Sequence, residues 1–384
     1  MENSYNNSCE CKKCVLKALY VQQKQIKRLN ERVTALEQVI RISNGGYITI
    51  GTEENPVDKI YADTIGSINQ PVTIIHTTNS VTSSFNTKGI CLDDTTSALT
   101  PSFDAFPRNW LTTSTSIGSV RTYHYGTGVD NSGWVKWLMS NGINVMIGIT
   151  LEQYQTELDK LATDYANTDF KLLFDRYTLA IGVGNEASSS NIQAIKDGIA
   201  YAKDLRAQNK LPSVSITTVL KDDTDWFIPG TTYPPIDAQF TTDFLSLAPE
   251  LDIFCFNMYD GLGVTDPNVP IDVKLSWTSP SVTLNGFGAV RFAMGKTGYI
   301  DKPFWCTEVG WTSAGSIPGS TVTNLETFYK NFLNFNTQMQ FIPEASNGTL
   351  VVPPNRIFYF TIRDSNGESF GLYTSADILT PKFN

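Results

Sequence analysis

From Lys88 onward the apolar positions fall into short unbroken runs, separated by longer stretches in which they recur every three or four residues. The short runs are GICLD (89–93), GSVRTYH (118–124), INVMIGIT (143–150), TLAIGVG (178–184), SVSITTV (213–219), LDIFCFN (251–257), PFWCT (303–307) and RIFYFTI (356–362). Continuous apolar runs, rather than alternating ones, predict strands covered on both faces, which is the pattern of a parallel sheet. Leu151 to Asp175, Asn191 to Asn209 and Thr321 to Phe341 carry helical spacing. Repeated strand-then-helix units, eight strands in all, predict an α/β fold, a (β/α)8 TIM barrel. A doubly wound sheet would bring fewer strands and a Gly-rich phosphate loop. Here Gly182-Val183-Gly184-Asn185-Glu186 lacks the third glycine and sets an acid where a phosphate would lie.

The first ninety residues follow different periods. Leu19, Ile26, Val33 and Ile40 share one heptad position, and Val15, Gln22, Leu29 and Leu36 share the other. This predicts a coiled-coil stalk over 15–44 that makes a homo-oligomer, dimer or trimer, ending at Asn44-Gly45-Gly46. A helix packed on its own barrel would give a similar stripe. Residues 1–14 form a tip with Cys9, Cys11 and Cys14, open to interchain disulfides, to metal or to neither. Residues 45–87 read as a small β-rich connector of short alternating runs (47–51, 59–65, 72–76) broken by Pro and Gly turns. The expected barrel occupies 88–384.

Composition narrows the function classes. The net charge is −9, and residues 1–45 hold eight basic side chains against four glutamates, so the body of the chain is acidic and nucleic acid is an unfavoured partner. No apolar run has the ~18 residues of a membrane span, and MENSYNNSCECKKC lacks the apolar core of a signal peptide, so neither membrane insertion nor ordinary secretion is expected. Cys91, Cys255 and Cys306 sit singly inside apolar runs, as buried thiols do.

Barrels carry their chemistry at the C-terminal ends of the strands. Read there, the chain offers Arg121, Tyr123 and His124 after the second run, Asn185 and Glu186 after the fourth, Asn257 and Tyr259 after the sixth, and Glu308 and Trp311 after the seventh. Two carboxylates, amide and guanidinium groups and several aromatics are the inventory for sugar chemistry. Each residue also has a plainer reading. Glu186 suits a helix start, Asn185 a turn, Arg121 the orientation of a carboxylate, and His124 a structural hydrogen bond.

Two stretches, GVGNEA (182–187) and CTEVGWTSAG (306–315), resemble the signature strands of family 17 glycoside hydrolases, the 1,3-β-glucanases and related glucan transferases. VRTYHYG (120–126), NVMIGI (144–149), FNMYD (256–260) and FGLY (370–373) extend the resemblance over roughly residues 88–384. It implies a (β/α)8 barrel with Glu186 as acid/base and Glu308 as nucleophile of a retaining, endo-type β-glucanase, Asn185, Arg121, Tyr123, His124, Tyr259, Asn257 and Trp311 as substrate-binding residues, β-glucan as partner, and no metal or organic cofactor. Leu92-Asp93-Asp94 replaces the family's aromatic and Gly pair, and Asp364-Ser365-Asn366 is all that stands for its acidic patch after the last strand, so linkage preference is open. ITIGTEENPVDKIYADTI (48–65) is similar to β modules that join coiled coils to the heads of phage and large-virus fibres, which implies a virion-surface or extracellular location. A glucan transglycosylase and a non-catalytic glycan-binding fibre head are the competing readings.

Overall fold

A computed structural model of the chain describes the backbone of residues 40–42 and 48–50, and residues 87–92, 117–127, 131–230, 237–259, 270–275, 287–334, 354–365, 367–374 and 381–383. The chain divides into two compact units, Met1–Thr78 and Asn79–Asn384.

In the first unit Ile40–Ile42 pairs antiparallel with Ile48–Ile50, Ile40 opposite Ile50 and Ile42 opposite Ile48. This corrects the end of the expected stalk. Ile40, its last heptad position, stands in a strand, and the 44/45 boundary falls between two paired strands. Isoleucines at 40 and 42, 48 and 50 flank an Asn-Gly-Gly turn signal, and β-branched residues in alternation favour a hairpin over a helix end. The remaining heptads and the Cys-containing tip lie outside the described residues.

The second unit is a closed barrel of eight parallel strands in sequence order: β1 (Lys88–Cys91), β2 (Ile117–Arg121), β3 (Asn144–Ile149), β4 (Thr178–Asn185), β5 (Ser215–Lys221), β6 (Phe254–Asn257), β7 (Phe304–Val309) and β8 (Arg356–Tyr359). Every expected strand is present. β8 closes on β1, with Ile357 opposite Lys88 and Tyr359 opposite Ile90. Alternate residues of each strand face opposite ways, so the apolar runs fill two cores. Cys91, Met146, Ala180, Val219, Cys255, Trp305 and Phe358 pack inside the barrel. Ile90, Val145, Ile147, Ile181, Val183, Phe254, Phe256, Ile357 and Tyr359 pack outward under the helices. Cys91, Cys255 and Cys306 are buried and unbridged, as expected.

The described helices are α1 (Ser132–Ser140), α2 (Tyr154–Ala166), α3 (Thr168–Tyr177), α4 (Ile192–Ala207), α5 (Thr242–Leu247), α6 (Ile271–Leu275), α7 (Ala289–Thr297) and α8 (Val322–Asn334). The helical stretch expected over 151–175 is two helices, because Asn167 takes an extended backbone and its side chain accepts from the Asp169 N–H, starting α3 afresh. α8 buries Leu325, Phe328, Tyr329 and Phe332, one face at helical spacing. No described helix is long and apolar enough to cross a membrane.

Candidate active site

At the C-terminal rim two strands break register, and these two carry the carboxylates. Between β4 and β5 the pairing passes from Gly182 opposite Thr217 to Asn185 opposite Val219, which leaves one extra residue on β4. Between β6 and β7 it passes from Phe256 opposite Cys306 to Asn257 opposite Glu308, which leaves one extra residue on β7. A bulge re-aims the side chains beyond it. On β7 it sets Glu308, instead of Thr307, beside Asn257. On β4 the chain turns through Gly184 at φ +85° and then Glu186 at φ +52°. A left-handed backbone costs a non-Gly residue of order 1–2 kcal/mol, so Glu186 keeps a strained conformation that a plain rim acid would not need. The Glu186 N–H is held by the Val219 carbonyl at 3.0 Å.

Glu308 is buried and Glu186 is exposed. Glu308 Oε1 accepts from Arg121 Nη1 at 2.8 Å and from the Tyr123 hydroxyl at 2.7 Å, while its Oε2 accepts from the Tyr259 hydroxyl at 2.7 Å. Burial pushes the Glu308 carboxyl above the ordinary carboxylate range; Arg121 pulls it down, Glu186 pushes it up again, and the two tyrosine hydroxyls pull it down. Burial also lifts both phenols well above their ordinary value, so at neutral pH each keeps its proton and donates.

Asn257 joins the two carboxylates. Its Oδ1 accepts from Arg121 Nη1 at 3.0 Å and from the Thr307 hydroxyl at 2.8 Å. Its Nδ2 donates to Asn185 Oδ1 at 3.1 Å and to Glu186 Oε1 at 3.0 Å. All four hydrogen-bonding positions of the amide are used, which fixes its orientation. Arg121 Nη2 reaches Asn185 Oδ1 at 2.6 Å, and Arg121 Nη1 also reaches the Thr307 carbonyl at 2.9 Å. Among the described residues Asn185 Nδ2 has no partner, and the residue is exposed on the rim.

Arg121, Tyr123, Asn185, Glu186, Asn257, Tyr259 and Glu308 therefore meet in one network, and the expected substrate contacts divide within it. Arg121 and Asn257 are buried, and their hydrogen bonds go to the carboxylates and to Asn185 and Thr307, so they hold the pair in place. The expected place of Trp311 on the rim is corrected. It is fully buried, its Nε1 donates to the Gly319 carbonyl at 3.1 Å, and its ring packs on Phe328 of α8. The cause is Gly310, where a Cβ would lie 2.3 Å from the Phe360 carbonyl oxygen. The chain hugs β8 there and leaves Trp311 on the helix side. Trp311→Phe should cost about 2 kcal/mol of stability, the indole hydrogen bond plus lost packing, readable as a lower denaturant midpoint. A sugar platform would show weaker substrate binding at unchanged stability instead. His124 stands apart from the network, its Nδ1 3.1 Å from Thr150 Oγ1.

Four residues that the strand-end pattern does not single out belong here. Thr307 fixes Asn257 through its hydroxyl. Phe360 and Phe370 stand edge-on to Tyr259 at 6.4 and 5.5 Å between ring centres, and Phe360 likewise meets Tyr123 at 6.4 Å, so they brace both phenols. The fourth, Asp222, follows β5 with its N–H on the Asn257 carbonyl at 3.2 Å. Its Oδ1 is buried without a hydrogen-bond partner among the described residues, and burial, then Asp223, raises its carboxyl to about 7. Asp364 Oδ1 accepts from Lys382 Nζ at 2.7 Å and from the Gly371 N–H at 2.9 Å. Asp93, Asp94, Asp260 and Asn366 lie outside the described residues.

No protein-family profile and no curated protein matches the chain by sequence. Its fold matches solved structures. One of two plant β-glucan endohydrolases of distinct substrate specificities superposes with a TM-score of 0.54 at 18% identity, over 74% of this chain and 96% of the other. A β-1,3-glucanase and allergen of Cryptomeria japonica pollen gives 0.56 at 18%, over 78% and 98%. An active-site mutant of the Rhizomucor miehei β-1,3-glucanosyltransferase, bound to laminaritriose, gives 0.50 at 16%, over 79% and 97%. At these identities what the chain shares with them is the (β/α)8 barrel.

Proposed function

We propose that the chain is a retaining glycosidase acting on β-glucan, with β-1,3-linked glucan the preferred substrate. The observation that carries this is the asymmetry of the two carboxylates. Glu308 is buried and triply hydrogen-bonded, whereas Glu186 stands exposed and strained, tied to it through the Asn257 amide and the Arg121 guanidinium. Two carboxylates in opposite environments at one barrel rim fit the two roles of a double displacement. In the first step a Glu308 oxygen forms a bond to the anomeric carbon as the glycosidic C–O bond breaks and Glu186 gives its proton to the departing oxygen. In the second, Glu186 takes a proton from water, whose oxygen attacks the anomeric carbon and frees Glu308 with the β configuration restored. This requires the carboxyls to stand about 5 Å apart. Asn185 Nδ2 supplies a donor for a sugar hydroxyl, and Phe370, half-buried beside Tyr259, supplies an apolar wall.

Glu186→Ala should retain turnover only on aryl β-glucosides whose leaving group needs no proton, and added azide should restore the rate and yield a β-glycosyl azide. Proton NMR of early native product should show the β anomer first. An initial α anomer removes the retaining mechanism, and absence of turnover with retained oligosaccharide binding returns the glycan-binding-head reading. The likeness to a glucanosyltransferase supports a second reaction at the same site, in which an acceptor sugar replaces water. Products longer than the substrate at high oligosaccharide concentration would reveal it. The heptads before residue 40 support presentation on an oligomeric stalk, and the ITIGTEENPVDKIYADTI segment supports a fibre at a virion surface.

A further inference from the structure

A second polar network occupies the rim between β2 and β3, away from the carboxylate pair. Glu157, in the first turn of α2, is fully buried. Its Oε2 accepts from the Thr150 N–H at 2.7 Å, and its Oε1 accepts from the Thr150 hydroxyl at 2.8 Å and from the Thr127 hydroxyl. A carboxylate in the first turn suits the helix dipole, but that alone would not gather three donors from two loops. His124 Nδ1 lies 3.1 Å from the same Thr150 oxygen. A hydroxyl has one proton, and this one is directed at Glu157. The His124 contact therefore runs the other way, with Nδ1–H donating to the Thr150 oxygen. A neutral imidazole protonated on Nδ1 has a bare Nε2, an acceptor. That nitrogen has no partner among the described residues, on a half-exposed ring one residue past Tyr123.

We propose that Glu157 and Thr150 are positioning residues that lock His124 in its Nδ1–H tautomer, so that Nε2 accepts a hydrogen bond from a ligand hydroxyl at the β2–β3 side of the cleft. The ligand half rests on the glucan reading above; the tautomer half does not. A sugar suits such a site because each of its hydroxyls both donates and accepts. Asn185 Nδ2 then offers a donor on the β4 side and His124 Nε2 an acceptor on the β2 side, so the rim addresses a polyhydroxylated ligand with both senses of hydrogen bond.

The chain has two histidines, so nitrogen-15 labelling of the full-length protein gives two ring systems, and His76→Gln assigns them. In mildly alkaline buffer His124 should show a protonated Nδ1 and a bare Nε2. Thr150→Val should move the proton to Nε2, the form imidazole prefers in water, and Thr150→Ser should return it to Nδ1. A protonated Nε2 in the native protein overturns the inference, and the native spectrum decides this even where Thr150→Val does not fold. A tautomer indifferent to Thr150→Val overturns it as well. Laminaritriose should then shift the Nε2 resonance saturably. If it saturates other signals and leaves Nε2 unmoved, the ligand half falls. If it binds nowhere while Nδ1–H persists, the glucan reading falls and takes the ligand assignment with it, and the lock itself stands.

Discussion

Glu308→Gln should lower kcat on soluble β-1,3-glucan by about 10⁴-fold or more while the barrel stays folded. The amide keeps one oxygen for Arg121 and Tyr123 and turns an NH2 toward Tyr259, whose hydroxyl can reverse and accept, so each neighbour retains a partner. What disappears is the anion that attacks the anomeric carbon, and no other described residue at the rim has the same hydrogen-bonded setting. Release of reducing ends, with circular dichroism as the folding control, measures this. Turnover within about tenfold of native would remove Glu308 as nucleophile and with it the double displacement.

Arg121→Met should combine a stability loss of about 3–5 kcal/mol with a shifted pH profile. Arg121 and Glu308 form a pair whose side chains are 3% and 6% exposed, and removing the cation leaves a buried carboxylate with two neutral donors. In the native protein the Glu308 carboxyl already lies above its ordinary value, first because it is buried, so activity that needs the anion falls away on the acid side above the usual carboxylate range. Arg121 is the strongest influence pulling it down, so the variant's acid limb should move to higher pH. The stability follows with a definite sign. A carboxyl raised by folding binds its proton more tightly in the native state, so the penalty is absent below the unfolded value and grows as pH climbs toward the folded one. Denaturant midpoints of Arg121→Met should therefore rise as the buffer is acidified from neutral, and midpoints that fell on acidification would contradict the account.

The barrel was legible because a strand covered on both faces must be apolar throughout, and runs such as NVMIGI (144–149) have few other uses. Glu186 and Glu308 were legible because they end such runs. Less of the network around them could be read, for a physical reason. Whether a rim residue points at the cleft depends on register, and the bulges on β4 and β7 show only once each strand is paired with its neighbour. The expected place of Trp311 fails on that account: counting from Glu308 places it at the rim, but the close approach of Gly310 to Phe360 turns it to the helix side. Thr307 looks like an ordinary strand residue, and Asn257, expected as a substrate contact, shows its tie to Glu308 only once the shift on β7 brings the two side by side. The break at Asn167 carried a local cue, an Asn with an acidic residue two positions on, which the long helical period masked.

The distance along the chain between Arg121 and its partners constrains how the protein comes into being. Arg121 is synthesised with the second strand, but Glu308 arrives 187 residues later and Asn257 136 residues later. A guanidinium sealed in an apolar interior without its carboxylate costs several kcal/mol. The interior is therefore expected to stay open to water until the seventh strand docks, with closure last, where the Thr361 hydroxyl just past the eighth strand reaches the Cys91 carbonyl across 270 residues. Dehydration of the interior and assembly of the carboxylate site should then be one event. A chain truncated before Glu308 should then show a hydrated, loosely protected sheet in hydrogen exchange, and Arg121→Met should let that partial sheet collapse more readily.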